Sequence, residues 1–276
     1  MIVFAPGQCL SLLIHAGSKQ GKSTLSSTAP APILVLDAED SWRFIPVRKR
    51  FWDPEQEKMP PQYDGTWDVC LVKVTKWSTV ETTYNLLRAY PNVFTSVVID
   101  SITEIQRRCA AHMKLPDGVA DGTAIVNIKQ ASAMQMKIQE WGTLLGVMDA
   151  VIRGFRDFTM QPNCSIRCVV FISETKQRPS DNKWVPHLRG QLGASLPYFV
   201  DICGYLYPVA LNDENGQPTI SIRQLWMGPS PYYETGSRVL QQLGHYQNIT
   251  LPTNGGVGTD ITRWMQHIFN VTEEGN

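Results

Sequence analysis

The densest chemistry in the chain lies in Ala16-Gly17-Ser18-Lys19-Gln20-Gly21-Lys22-Ser23-Thr24. Its end fits the phosphate-loop pattern G-x-x-x-x-G-K-[ST]. Successive backbone N–H groups of such a loop form a concave anion site, helped by the start of the following helix. Gly21 lets the backbone approach a phosphate closely. Lys22 can place its charge against β- and γ-phosphates, and Ser23 can offer a hydroxyl to Mg2+. The first glycine of the pattern is replaced by Ala16, with Gly17 directly after it. A methyl fits there if φ is negative. An ordinary Gly/Ser/Lys turn has the same composition, so the surrounding elements must decide.

Phosphate chemistry of this kind needs an acid at the end of a neighbouring strand to orient Mg2+ or its waters. Ser96-Val97-Val98-Ile99-Asp100-Ser101 supplies one in Asp100, although Asp100 or Ser101 would also suit a helix N-cap. A second apolar run ends Leu34-Val35-Leu36-Asp37-Ala38-Glu39-Asp40. One of its three acids can orient or deprotonate an attacking water, or all three form a solvated turn. A third run ends Phe171-Ile172-Ser173-Glu174, where a polar side chain can sense a γ-phosphate.

These residues need a sheet with all their strand ends on one side. Apolar runs predict strands over Leu10–Ala16, Pro32–Leu36, Val69–Val74, Thr95–Asp100 and Ile166–Ser173. Helices are predicted over 78–89 and from Ser101 to Met113. Ala131, Met134, Ile138, Trp141, Leu145, Met148, Ile152 and Phe155 step by three and four and mark one apolar helix stripe. Leu115–Thr123 reads as a loop, and 176–194, polar and holding Pro and Gly, as a long one of the kind that is often functional. Val200–Val209 and Thr219–Trp226 predict two strands joined by the turn Asn212–Gly216. A Gly-rich loop, Asn254–Gly258, and a last helix over Thr259–Phe269 complete the chain. Strand and helix in alternation predict an α/β fold. It has a mostly parallel sheet, helices on both faces and a C-terminal antiparallel hairpin. All 276 residues are read as one domain.

Composition narrows the classes. The chain is 43% hydrophobic and 18% charged, which excludes a wholly disordered protein. No apolar run reaches the ~18 residues of a membrane helix, and no signal peptide is evident, so a cytoplasmic protein without a membrane partner is expected. Lysine plus arginine and aspartate plus glutamate both number 25, which argues against a large uniform positive field but allows a local basic loop. The six cysteines form no CxxC pair and read as reduced buried thiols.

Taken in order, "AGSKQGKST", "LVLDAED", "VVIDSITEIQRR", "KIQEWGTLLGVMDAVIRGFRDF", "CVVFISETKQ" and "PHLRGQLGASLPYFVDICGYLY" resemble the phage RecA-like P-loop ATPases. More narrowly, they resemble the Sak-type single-strand annealing proteins, reduced relatives of the RecA and RadA recombinases. The resemblance covers about residues 8–269. It implies a RecA-like P-loop NTPase core, with ATP and Mg2+ as cofactors. Residues 16–24 would bind nucleotide, Lys22 would act in catalysis, and Ser23 and Asp100 would hold metal. It selects Glu39 as the catalytic glutamate and places Glu174 at the γ-phosphate sensor, where the recombinases often carry Gln.

The resemblance also implies that 176–194 binds DNA. The loop carries Lys176, Arg178, Lys183, Trp184, His187 and Arg189 against one acid, Asp181. Cations with an aromatic ring suit single-stranded DNA. Further implied partners are a homo-oligomer, ring or filament, and a single-stranded-DNA-binding protein. Arg238, and after it Arg223, are candidates for a finger completing a neighbour's ATP site. The N-terminal oligomerisation and C-terminal DNA-capture domains of full recombinases have no counterpart, which points to annealing rather than strand exchange. Two other readings stand beside this one: a nucleotide-switched protein-interaction module, and a small-molecule kinase with Arg178 and Arg189 as its lid.

Overall fold

Seven strands lie side by side in parallel, and the central ones are apolar on both faces. The computed structural model describes residues 2–113, 138–212, 218–249 and 258–272. The predicted loop Leu115–Thr123, the first residues of the apolar stripe, most of the turn Asn212–Gly216 and most of Asn254–Gly258 lie outside the described residues.

The strands in chain order are β1 (Leu10–Ala16), β2 (Ile33–Asp37), β3 (Lys49–Phe51), β4 (Val69–Lys73), β5 (Ser96–Asp100), β6 (Cys168–Gln177), β7 (Trp184–Pro186), β8 (Ile202–Asn212), β9 (Pro218–Trp226), β10 (Gly236–Ser237) and β11 (Tyr246–Ile249). The helices used below are α1 (Lys22–Ser26), α2 (Trp77–Ala89), α3 (Ile102–His112), α4 (Ile138–Asp157) and α5 (Ile261–Phe269). The sheet order is β11-β9-β8-β1-β6-β5-β2-β4-β3, with β10 beside β8 and β7 beside β6. Strands β3 through β8 along that path are parallel, while β9, β10, β11 and β7 pair antiparallel.

Alternation along each strand splits the core in two. Leu13, Leu34, Leu36, Val97, Ile99, Val169 and Phe171 face α2, α3 and α4. Leu12, Ile14, Val35, Val98, Val170 and Ile172 face α1 and α5. Strands buried on both sides read as continuous apolar runs, which is why they were visible in the sequence. Ser101 caps α3 by accepting from Glu104 N–H, a capping arrangement spelled out in S-I-T-E. Asp260 caps α5 by accepting from Arg263 N–H.

Two readings need correction. The long loop expected over 176–194 is built instead on a β-ribbon. β6 runs on to Gln177, and Thr175, Lys176 and Gln177 pair with Pro186, Val185 and Trp184. The end of β6 is polar and solvated, and β7 has only three residues, so no apolar run announced the ribbon. On α4 the fully buried leucine is Leu144, whereas Leu145 is only partly buried. The stripe turns slightly, as 3.6 residues per turn requires of a three-four repeat.

Candidate functional site

Parallel register brings the chemically active strand ends together. Ala16 on β1 lies opposite Glu174 on β6, and Asp37 on β2 lies opposite Asp100 on β5. Between them opens a cavity of about 690 Å³. It is lined by every residue from Ala16 to Thr24, by Glu39–Ser41, by Arg43–Ile45 and by Asp100, Glu174 and Thr175.

The phosphate loop is held open by backbone geometry. Gly21 has φ +93°, a left-handed conformation that disfavours any side chain. Ala16 ends β1, is buried, and is not among the positive-φ residues, so its methyl costs nothing. Lys22 Nζ donates to Ala16 O at 3.2 Å and Gly17 O at 2.9 Å. It is held by carbonyls of its own loop and, among the described residues, by no carboxylate. Burial pulls its pKa down, while Asp100, Glu39 and Glu174 pull it back up. An arriving phosphate would therefore find a pre-placed cation.

Asp100 is almost completely buried, and its Oδ2 accepts three hydrogen bonds. These come from Ser23 Oγ at 2.5 Å, Trp42 Nε1 at 2.8 Å and Ser41 Oγ at 3.2 Å. Desolvation pushes its pKa up to about 6, partly opposed by the Ser23 and Trp42 bonds. The Ser23 hydroxyl and the Asp100 carboxylate are hard oxygen donors in direct contact, a set that suits Mg2+. Ser23 can donate to Asp100 and still turn a lone pair toward a metal.

Glu39 is carried on a tight turn organised by a residue whose role the sequence left open. Asp37 Oδ1 accepts from Glu39 N–H at 3.2 Å and Ser41 N–H at 3.3 Å, and Oδ2 accepts from Trp42 N–H at 3.2 Å. Burial raises the Asp37 pKa, and these three N–H groups oppose the rise. Arg108 on α3 braces the turn by donating to Ala38 O at 2.9 Å. The Ser101 hydroxyl donates to Glu39 Oε1. The carboxylate thus has a fixed resting place at the edge of the cavity.

Glu174 is paired. Arg107 on α3 grips both of its oxygens, at 3.2 and 2.8 Å, and His187 Nδ1 lies 3.0 Å from Oε2. Desolvation acts against its charge, but Arg107 and His187 outweigh it and hold the pKa below the usual carboxylate range. Glu174 therefore joins the cavity wall to the ribbon, since His187 follows β7.

The ribbon residues have mixed fates. Arg178 makes a two-pronged contact with Asp181 and also reaches Glu234. Lys176 Nζ donates to Leu188 O at 3.1 Å. The Arg189 guanidinium lies 5.3 Å from the Trp141 ring centre. Trp184 remains 38% exposed at the ribbon's far end, beside Lys183. The ribbon is stitched to the segment before β10 by Trp184 N–H to Tyr232 O and Glu234 N–H to Trp184 O, both 2.8 Å.

Of the two finger candidates, Arg238 is paired with Asp201 at 2.9 Å and lies next to β10, which pairs with the beginning of β8. That is the opposite sheet edge from its own phosphate loop. Arg223 sits against the loop of its own chain, with Nε donating to Gln20 O at 3.2 Å.

Sequence reasoning missed Asp37 as an organiser and missed Ser41, Trp42, Arg107 and the wall Arg43-Phe44-Ile45, while Ser101, expected as a helix cap, gains an unforeseen contact with Glu39. Phe44 is 77% exposed although it lines a cavity, with the Arg43 guanidinium 4.6 Å from its ring centre. Arg107 could have been suspected, because it lies three residues after Glu104 and pairs with it along α3.

A phosphate loop on a central parallel strand, with acids at neighbouring strand ends, defines a P-loop nucleoside triphosphatase. The family model described as an AAA domain matches residues 9–239. The chain belongs to that family and is a P-loop ATPase domain. Comparison with curated proteins finds no match to this chain. Among the described residues no helix is long and apolar enough to cross a membrane.

Proposed function

We propose that this chain is an ATP- and Mg2+-dependent, cytoplasmic recombination protein of the Sak type that binds single-stranded DNA and promotes annealing. In this reading residues 16–24 cradle the phosphates, and Ser23 with Asp100 holds Mg2+, which would neutralise charge on the β- and γ-phosphate oxygens. Lys22 leaves its loop carbonyls for the γ-phosphate. Glu39 leaves Ser101 and orients the attacking water, taking its proton as the water oxygen bonds to the γ-phosphorus and the bond to the β–γ bridging oxygen breaks, so that ADP leaves with that oxygen. The base lies against Phe44. All of the chain forms one domain, which assembles as a homo-oligomer, with Arg238 reaching a neighbour and Arg223 acting within its own subunit.

One observation carries the DNA-binding part: Glu174 lines the nucleotide cavity and is bonded to His187 at the end of the ribbon. A γ-phosphate that disturbs the Glu174 contacts would shift the ribbon that presents Lys183 and Trp184. The motif order gives the direction of the reading, and exposed aromatic and cationic side chains suit stacking and phosphate contact. The test is fluorescence anisotropy of a labelled single strand, with and without Mg2+-ATP, over a range of salt. Binding that strengthens with ATP and weakens steeply with salt is expected. No binding at low salt would overturn it.

The protein-interaction module draws support from the pairing of Arg178 and His187, which leaves the ribbon less cationic than its sequence. The kinase reading gains nothing, since neither Arg178 nor Arg189 lines the cavity.

A further inference from the structure

Trp42 spends two donors on two strands. Its backbone N–H goes to Asp37 at the end of β2, and its indole N–H goes to Asp100 at the end of β5. Asp37 and Asp100 are themselves opposite each other in the sheet register. The indole is fully buried, at 0% exposure, so no water competes for its proton. The other two donors on Asp100 Oδ2 are hydroxyls, and Ser23 and Ser41 lie 3.4 Å apart, near enough for either to turn its proton to the other. A hydroxyl proton rotates, whereas an indole proton is fixed by the ring. Of the three contacts, only the Trp42 one has a fixed direction. The same short segment, Asp37 to Trp42, carries Glu39.

We propose that Trp42 is the positioning residue of the site, fixing the Asp100 carboxylate for a divalent cation and locking the Glu39 turn to it. This rests on the reading of Ser23 and Asp100 as the metal pair. It assigns to a buried aromatic, otherwise plain core, the outer-shell role that orients a metal-binding carboxylate. Phenylalanine would fill most of the space and remove the donor, leaving Asp100 to two rotating hydroxyls.

The experiment is calorimetric titration of Trp42→Phe and the unaltered chain with ADP, at graded Mg2+ and in its absence. In Trp42→Phe the Mg2+ needed for half-maximal enhancement of ADP binding should rise about 10–100-fold. ADP affinity without Mg2+ should stay unchanged, which a general loss of structure would not allow. An unshifted Mg2+ curve overturns the proposal, as does an equal loss of affinity with and without Mg2+. Should Trp42→Phe fail to fold, the indole N–H resonance of Trp42 in the unaltered, ADP-saturated chain decides. It should move on addition of Mg2+, and a resonance that stays in place overturns the role. Failure of the unaltered chain to bind ADP under any condition refutes the nucleotide reading beneath it, a result distinct from an unshifted Mg2+ curve.

Discussion

The phosphate loop and the β6–β7 ribbon both carry cations, but they hold them differently. Lys22 rests on the carbonyls of Ala16 and Gly17. Arg178 is held by the carboxylates of Asp181 and Glu234. A carbonyl takes no charge from a cation, so Lys22 remains an unneutralised charge waiting for an anion. Arg178 already has its anions and must exchange them before it can take a phosphate. The exposure of the Arg178 pair makes that exchange feasible, because solvent and salt weaken such contacts. A site can thus be prepared for one ligand while its neighbour stays neutralised until something displaces its partners. Glu174 lies at the border, on the cavity wall but bound by Arg107 and His187.

Among variants that leave the phosphate loop intact, the largest effect should come from Glu39→Gln. Keeping the shape and losing the base should lower ATP turnover about 10²–10⁴-fold while ADP binding persists. Undiminished turnover would move the water-orienting role to another acid and weaken the contrast between the two regions.

Asp100 makes the cost of a prepared site measurable. Its folded pKa is about 6, against an ordinary value of 3.8. Between those values the folded chain keeps a proton that the unfolded chain has lost. The stabilisation from this group is therefore full below pH 3.8 and disappears as pH rises through about 6. In chelator at pH 7.5, Asp100→Asn should be more stable than the unaltered chain by the order of 1–3 kcal/mol. The difference should vanish near pH 4. Denaturant melts at the two pH values check it, and an equal gain at both would contradict the burial argument.

Phe44→Ala should weaken ATP binding by about tenfold, the value of one lost stacking contact. Inorganic triphosphate should bind Phe44→Ala and the unaltered chain equally. Equal loss for both ligands would show that Phe44 shapes the loop and does not meet the base.

The smallest effect is expected at the ribbon. Lys183→Glu with Arg189→Glu should lower single-strand affinity several-fold and flatten its salt dependence by about two phosphate contacts. ATP hydrolysis measured without DNA should not change. Loss of basal hydrolysis would mean that the two regions are less separate than their contacts indicate.

Much of this frame was legible in the residues. Val97-Val98-Ile99 and Leu34-Val35-Leu36 read as buried parallel strands do, as continuous apolar runs, and the acids that follow, Asp100 and Asp37, face a shared edge. The phosphate loop follows its strand, and S-I-T-E announces the start of α3. The ribbon escaped because the end of β6 is polar and its partner β7 is only three residues long, too short to show a periodic apolar signal. Trp42 escaped for a different reason. Its partner Asp100 is 58 residues away in the chain, and nothing near Trp42 tells a core indole from one that serves a carboxylate. The contact of Arg223 with Gln20 O on the phosphate loop spans most of the chain, so nothing near Arg223 in the sequence announces it.

The most direct test is phosphate release from Mg2+-ATP by the unaltered chain and by Lys22→Ala, measured side by side. The unaltered chain should release phosphate, and both chelation of Mg2+ and Lys22→Ala should bring release to background. Turnover by Lys22→Ala at the rate of the unaltered chain would contradict the account.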